Sequence, residues 1–310
     1  MKKKAKIETT EIDNKPKKKI SKKSVIAYSV TGAAVISVGV VAGILLGQNV
    51  FKVDAYRGLN ADAIEKDYSP IYEEYKKTNK NQYLSKFTAI EIANISLLKL
   101  GDMENYYTIT EGSVEAAGVK QTIHGTTIKA GNRNFEESLS ASSFVKAANR
   151  FYQEDDSVEF YKGKYVDLNG GDYSGVEAKK YSAEQFEAEW GKTPSRPCVY
   201  IISERSCLGS EIKDSGDTYQ ITLDLHPTYS VLRYVQQMTV TGGLSQAPVF
   251  HSVKLIFEVD KELTLQTFKT DEVYDVHMVI DAKNSKGSIT QTYHYEPRDI
   301  PQIEEPTNYL

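Results

Sequence analysis

The chain has 310 residues, of which 40% are hydrophobic and 26% charged, so its composition is that of a globular protein with one large or two small domains. Residues 1–24 contain ten Lys and three acidic residues, a charge of +7, while the whole chain carries −4, which leaves −11 for the remainder. Because nucleic-acid phosphates need a Lys- and Arg-rich surface, this acidic remainder is a poor match to nucleic acid. The basic segment could bind RNA, but its position before an apolar run favours contact with anionic lipid headgroups, so we expect no nucleic-acid partner.

Residues 25–47 form an apolar run, and no charged side chain lies between Lys23 and Lys52. A helix of this length would span roughly 34 Å, against a hydrocarbon core of about 30 Å. The lysines that precede the run indicate a cytoplasmic N-terminus. We therefore expect a single-pass protein of the cell membrane, with a basic cytoplasmic tail over 1–24, a transmembrane helix over 25–47 and an extracellular C-terminal part.

A cleaved export signal is the alternative interpretation of the same run. Its apolar stretch would normally be shorter, about 7–15 residues, and a small-residue cleavage site would follow closely. The weak candidate Val53-Asp54-Ala55 comes only after Lys52. Both interpretations place the body outside the cell, where the membrane itself is an expected partner.

Three glycines recur at every fourth position within this run: Gly39, Gly43 and Gly47. A tandem GxxxG pattern lets two membrane helices approach closely, so these residues are candidate packing sites for a homodimer through the transmembrane helix. The alternative is that glycine is simply frequent in membrane helices.

Residues 48–80 are polar and rich in tyrosine, and we interpret them as a stalk with short helices. The stalk tyrosines, Tyr56, Tyr68, Tyr72 and Tyr75, either contact headgroups and glycans or pack against the body. An α+β domain is predicted over 81–296, and a flexible tail with three prolines over 297–310. Apolar spacing and capping residues predict helices over 82–100, 144–151, 182–190 and 228–238, with Gly101 as the C-cap of the first.

Extended segments lie between these helices. Turns are predicted at Ala117-Gly118 and at 130–132, and a hairpin is predicted to turn at Lys162-Gly163. The last third alternates apolar and polar residues, which predicts four antiparallel strands with turns at 260–262 and 284–287. One apolar face of these strands is the candidate core face or cavity wall: Val253, Leu255, Phe257, Val259, Tyr274, Val276, Met278, Ile280 and Tyr293.

An apolar sheet face must be buried, so the predicted fold class is α+β: a transmembrane helix, then a curved, mostly antiparallel sheet packed on a few helices. The stretches "YQITLDLHPTYSVLRYVQQM" and "HSVKLIFEVDKELTLQTFKTDEVYDVHMVI", within this order of elements, resemble the LolA/LppX-like lipoprotein-carrier fold over about 85–295. That fold is a half-barrel with helices on its concave side. The resemblance implies an apolar cavity that binds lipids or acylated proteins. No individual site residue can be transferred from the resemblance, because the family has no invariant motif. The chain also differs from the family at its N-terminus, where a predicted membrane helix stands in place of the usual lipid anchor.

The sequence contains no catalytic or metal-binding motif: there is no HExxH, GxSxG, GxGxxG, P-loop or EF-hand pattern. We therefore expect a protein that is not an enzyme and has no cofactor or metal; a wall-active hydrolase would need converging titratable groups. Cys198 and Cys207 lie in the exported part, where a disulfide can form, and a disulfide and two free thiols both remain open.

Two functions are consistent with these observations. The first is a membrane-anchored extracellular module that binds a lipid, another apolar ligand or a partner's apolar segment. The alternative is a structural or envelope-assembly protein with a filled core, which would act through its surface and through transmembrane dimerisation.

Overall fold

The computed structural model describes residues 55–143, 146–242, 244, 246–277 and 281–303. Within these ranges, no helix combines the length and the apolar character that crossing a membrane requires. Several predicted features lie outside the described residues: the basic tail, the apolar run with Gly39, Gly43 and Gly47, Phe144, Met278, Ile280 and the end of the C-terminal tail.

Five α-helices lie in the described ranges: α1 (Ser69–Tyr75), α2 (Tyr83–Lys86), α3 (Ala89–Asp102), α4 (Ala183–Trp190) and α5 (Leu232–Gly242). The predicted helix over 82–100 exists but is broken at Thr88, whose side chain caps α3 in a reciprocal box with Glu91. The predicted C-cap at Gly101 is wrong, because α3 continues through this residue and Met103 is the cap.

The helices predicted over 182–190 and 228–238 have different outcomes. The helix over 182–190 is confirmed as α4, with Ser182 and Gln185 forming the expected capping box. The helix predicted to begin near Pro227 begins later, at Leu232. The backbone amide of Ser230 donates to the carbonyl of His226, and the His226 ring accepts from Thr228, so this segment forms turns first.

Twelve strands in the described part of the chain form one open sheet in which every pairing is antiparallel. Their bounds are β1 (Asn105–Ala116), β2 (Val119–Ala130), β3 (Arg133–Ala141), β4 (Lys146–Glu154), β5 (Ser157–Asp167), β6 (Gly170–Asp172), β7 (Lys179–Ser182), β8 (Cys207–Asp214), β9 (Thr218–Leu225), β10 (Val249–Asp260), β11 (Leu265–His277) and β12 (Asp281–His294). Their order is β6-β5-β4-β3-β2-β1-β12-β11-β10-β9-β8, with β7 also on β5. The α+β class with an antiparallel sheet is thus confirmed.

The first and last long strands meet in the middle of the sheet. β1 and β12 pair from Tyr107 opposite His294 to Glu115 opposite Lys286. The predicted turns at Ala117-Gly118 and at 130–132 are confirmed, because they join β1 to β2 and β2 to β3. The two halves of the chain are therefore joined by backbone hydrogen bonds across one continuous sheet.

The predicted helix over 144–151 is wrong, because its described residues belong to strand β4. Both faces of β4 are buried, so apolar residues occur on both faces and do not alternate with polar ones. Their spacing therefore resembles that of a helix. Phe151 packs with Trp190 of α4 on one face, and Ala148 packs with Tyr173 on the other.

The predicted hairpin turn at Lys162-Gly163 is also wrong, since β5 runs straight through it. The chain turns earlier, at Asp155-Asp156, where Asp155 has a φ of 49°. Gly163 has a different role: a Cβ there would lie 2.6 Å from the ring of Tyr173. Its missing side chain makes room for that tyrosine.

The closing meander has three strands, where the sequence predicts four. β11 continues from Leu265 past Tyr274, and the predicted turn at 284–287 lies inside β12. Gly287 faces Glu272 on β11, and a Cβ on Gly287 would lie 3.3 Å from that carboxylate. This glycine, like Gly163, therefore makes room for a neighbouring side chain.

The main core lies on the sheet face that carries Val253, Leu255 and Phe257, which we call the inner face. Helix α3 packs against β8, β9 and β11 with Ile92 and Ile95, which are fully buried. At about 25 cal/mol per Å² of apolar surface, burial of these aliphatic side chains is the main stabilising contribution of the helix.

The segment interpreted as a stalk packs against the body over its described residues. Tyr68, Tyr72 and Tyr75 are buried, and the Tyr75 hydroxyl donates to the carbonyl of Glu262 at 2.7 Å. The Tyr56 hydroxyl donates to the carbonyl of Pro248 at 2.8 Å. These tyrosines therefore pack against the body in the structure, as the second of their two interpretations expected, and the alternative was contact with headgroups and glycans.

Candidate functional site: an inner-face cavity

A cavity of about 90 Å³ lies between the inner face of the sheet and residues 191–206, which we call the cover segment. The floor comes from the middle of the sheet, on strands β1, β2, β3, β11 and β12. The roof comes from the cover segment together with Tyr234 and Gln237 of α5. The segment has no regular structure and connects α4 to β8, so its position depends on its contacts with neighbouring elements.

The strand register sets the chemistry of the floor. Thr108 on β1 lies between Tyr293 on β12 and Thr127 on β2, and all three line the cavity. Thr110, two residues further along, accepts a long hydrogen bond of 3.5 Å from Gln291. On β1 and β12, hydroxyl and amide groups therefore share the floor with the apolar surfaces of Tyr106 and Ile289.

The cover segment is held at both ends. At its start Gly191 ends α4 with a φ of 78°, and a Cβ there would lie 2.4 Å from the carbonyl oxygen of Arg233. Glycine is the residue that both constraints favour. At its other end the Ser203 hydroxyl donates to the carbonyl of Ile64 at 2.9 Å, and the Ile201 amide donates to Ser230 at 2.8 Å.

A network of ion pairs joins the cover segment to α4, to α5 and to the loop that contains Asp62 and Glu65. Arg233 contacts Glu65 at 2.8 Å and Asp62 at 3.0 Å, and Arg196 contacts Glu65 and Glu187. Burial would raise the pKa of Glu65, but the hydrogen bonds and charges of Arg233 and Arg196 outweigh it and lower this pKa below its ordinary value. Glu65 is thus a carboxylate shared by two guanidinium groups.

A buried carboxyl group stands beside the cavity. Glu272 on β11 is only 5% exposed, and the hydroxyl of Tyr200 on the cover segment donates to it. Burial raises the pKa of Glu272 to about 7, although hydrogen bonds from Tyr200 and Tyr234 act in the opposite direction. Tyr200 and Tyr234 both line the cavity, so the roof is attached to a titratable group of the sheet.

The sequence-predicted apolar face is buried in one cluster that continues the cavity floor. Of its described members, Tyr293 lines the cavity, while the others pack beside it in the core. The residues of this packed part are Val253, Leu255, Phe257, Val259, Tyr274 and Val276.

The two cysteines are separated by the structure. Cys198 is buried in the cover segment and lines the cavity, whereas Cys207 is half-buried at the start of β8. Both are free thiols, which is the second of the two states left open by the sequence. Burial raises the pKa of the Cys198 thiol to about 11.

Sequence reasoning missed the residues that join roof to floor. Glu272 stands two positions before Tyr274 on the same alternating face, so strand periodicity could have placed it inside. Tyr200 and Tyr234 lie far from β11 in the chain and carry no comparable signal. Among the residues the structure describes, no group of three or more His, Cys, Asp or Glu is arranged to hold a metal ion.

The fold and the cavity together define an open antiparallel α+β protein with a small interior space of mixed polarity. No protein-family model matches the chain, and no curated protein matches it. Among solved structures, a DUF1329 family protein from Desulfovibrio piger has a TM-score of 0.26 and 11% sequence identity. The alignment covers 72% of this chain and 98% of that one. A likeness of this size assigns neither fold nor function.

Proposed function

We propose that this protein is a membrane-anchored, extracellular, non-enzymatic binding module that takes an apolar ligand, or an apolar segment of a partner, under the cover segment. The single observation that carries the proposal is the cavity between the inner face of the sheet and the cover segment. The resemblance of the sequence to the LolA/LppX-like half-barrel supports the same function. No cofactor is needed for this function.

A cavity at this place is informative because protein interiors are close-packed and leave few voids larger than a water molecule. Ligand sites are concave and mostly apolar, with a small number of well-placed polar groups. Tyr106, Phe268 and Ile289 supply the apolar surface here, and Thr108 and Gln237 supply polar groups. The rival function, an assembly protein with a filled core, gives no reason for such a space.

The test uses the full-length protein in lipid nanodiscs and a photoreactive alkane that carries a diazirine. After irradiation, adducts are mapped by peptide mass spectrometry. We expect labelling at Tyr106, Cys198 and Tyr293, which line the cavity from both sides.

Two variants of one strand make the test specific. Thr110→Phe fills the cavity from the inner face of β1, whereas Glu111→Phe adds the same ring on the exposed outer face. The proposal expects labelling to be lost in the first variant and kept in the second. Labelling confined to other surfaces, or unaffected by Thr110→Phe, would instead favour the filled-core protein.

The anchor is a separate part of the proposal with its own test. Protease added to intact cells should digest the body, and alkaline carbonate should leave the protein in the membrane fraction. Protection of the body on intact cells, or release by carbonate, would overturn the anchor.

The transmembrane homodimer is tested through the glycine face. Gly43→Ile should abolish crosslinking between copies, because a bulky side chain keeps two helices apart. Ala34→Ile is the control, since nine residues at about 100° each place it on the opposite side of a helix from Gly43. Equal crosslinking in both variants would show that the glycines do not mediate a dimer.

A further inference from the structure

One row of laterally paired residues on the inner face crosses seven strands, and its side chains change from aromatic to polar or small at the cavity. Its members, in spatial order, are Phe257, Phe268, Gln291, Thr110, Gly125, Ser138 and Asn149. Aromatic rings fill the part on β10 and β11, and polar or small residues fill the part from β12 to β4. Phe268 and Gln291, where the row changes, both line the cavity. Along this row, the cavity therefore lies at the border between an apolar part on β10 and β11 and a polar part from β12 to β4.

Several hydrogen-bonding groups on β1, β3 and β4 are buried without a partner among the described residues. Thr108 lines the cavity and is 1% exposed, and its Oγ1 has no hydrogen-bond partner. The hydroxyl of Ser140 and both amide atoms of Asn149 are in the same condition. Such groups are few in native proteins because each costs about 1–3 kcal/mol when unpaired. Of these three, Thr108 lines the cavity, and an unpaired hydroxyl there points to contents that can form hydrogen bonds.

The charges around the cavity disfavour an anionic ligand. Among the described residues that line it, the cations are Lys192 and Arg196. Lys192 contacts Glu136 at 3.3 Å, and Arg196 is held by Glu65 and Glu187. A carboxylate entering here would have to compete with these acids, and it would also approach the buried carboxyl of Glu272.

We propose that the cavity selects ligands that join an apolar chain to a neutral hydrogen-bonding head, such as a hydroxyl, ester or amide. The chain would lie against Phe268 and Ile289, and the head would meet Thr108 and Thr110. Hydrocarbons without a head and fatty carboxylates would bind less well. This inference rests on the proposed function, because it concerns the ligand of the same cavity.

The experiment is a competition in the same nanodisc system. Octane, octanol and octanoate compete with the photoreactive alkane for labelling at Cys198, in the native chain and in Thr108→Val. The variant keeps the shape of the side chain but removes its hydroxyl. Thr122→Val, on the exposed outer face of β2, is the matched control. Comparing each variant with the native chain cancels the partitioning of each competitor into lipid.

We expect octanol to compete best, and Thr108→Val to weaken octanol about three- to tenfold while leaving octane unchanged, as loss of one hydrogen bond predicts. Octanoate competing as well as octanol, or octanol indifferent to Thr108→Val, would overturn the inference and leave water as the partner of these groups. Failure of the proposed function gives a different result, because the photoreactive alkane would then not label Cys198 at all.

Discussion

The hydroxyl of Tyr200 donates a hydrogen bond to the carboxyl group of Glu272, and so joins the cover segment to the inner face of β11. Tyr234 of α5 packs against Tyr200 with ring centroids 5.3 Å apart and acts on the same carboxyl group. A carboxyl group buried in the protein interior is costly when charged. The cavity roof therefore depends on a group whose protonation changes near neutral pH.

The first prediction concerns the pH dependence of stability. The pKa of Glu272 is about 7 in the folded protein, above its ordinary value of 4.5, so the folded state binds the proton more tightly than the unfolded state. Stability from this group is complete below about pH 4.5 and is lost as the pH rises through about 7. At about 1.4 kcal/mol per pKa unit, the loss is on the order of 3 kcal/mol.

Glu272→Gln should remove that slope, because the amide cannot ionise yet can still accept from Tyr200. We expect the variant to be more stable than the native chain at about pH 8 and similar at about pH 4, in urea unfolding followed by Trp190 fluorescence. Glu211→Gln, an exposed acid on β8, is the control. If Glu272→Gln and the control have the same pH profile as the native chain, the Glu272 carboxyl group does not titrate near neutral pH in the folded protein.

The second prediction concerns the ion network at the edge of the cover segment. The Arg233 side chain is 16% exposed and contacts Asp62, Glu65 and Glu187. Arg233→Gln should lower the free energy of unfolding by about 1–3 kcal/mol, because it removes a cation from the half-buried Glu65 and Glu187. Lys254→Gln breaks an exposed pair with Asp224 and should cost less than about 1 kcal/mol. Equal losses in the two variants would contradict a special role for the network.

The sequence predicted much of the fold where one face of a strand is buried and the other is wet. β10 is the clearest case, since Val253, Leu255, Phe257 and Val259 alternate and are all buried. The same reasoning failed for β4, because a second layer covers its outer face and removes the alternation. The sequence pattern of a strand shows when one of its faces is buried. It does not show when a segment distant in the chain packs on the other face.

Glycines were the other source of error, because a glycine within an extended sequence can mark a turn or can make room for a neighbouring side chain inside a strand. Gly118 and Gly131 have positive φ and lie in real turns, as predicted. Gly163 and Gly287 lie inside strands and admit the side chains of Tyr173 and Glu272. The difference depends on residues far away in the chain. For the same reason the cavity itself, whose roof and floor come from distant segments, could be anticipated as an apolar space but not located.

The third prediction tests the core face that the sequence did reveal. Phe257 is fully buried and packs on Phe268 with ring centroids 4.7 Å apart. Phe257→Ala should cost about 3–5 kcal/mol through lost burial and the cavity left behind. Phe257→Leu should cost less and remains measurable if the alanine variant does not fold. Leu208→Ala, at a site 67% exposed, should change stability by less than about 0.5 kcal/mol. A loss below about 1 kcal/mol for Phe257→Ala would contradict its place in the core.

The fourth prediction concerns Gly112, in the middle of β1, another glycine inside a strand where close neighbours leave no room for a Cβ. A Cβ at Gly112 would lie 2.4 Å from the carbonyl oxygen of Ser288 and 2.8 Å from the Cα of Ile289. Backbone atoms of a paired strand cannot move aside without separating β1 from β12, and this pairing joins the two halves of the sheet. Gly112→Ala should therefore lower the free energy of unfolding by about 1–3 kcal/mol, as overpacking does elsewhere.

Gly170→Ala is the matched control, because a Cβ at Gly170 would meet nothing within 4 Å. Urea midpoints of the two variants, again read from Trp190 fluorescence, give the comparison. Hydrogen exchange should in addition show faster exchange along β1 and β12 in Gly112→Ala, since the strain falls on their shared hydrogen bonds. If both alanine variants have the midpoint of the native chain, β1 and β12 are not as close at this position as the structure has them.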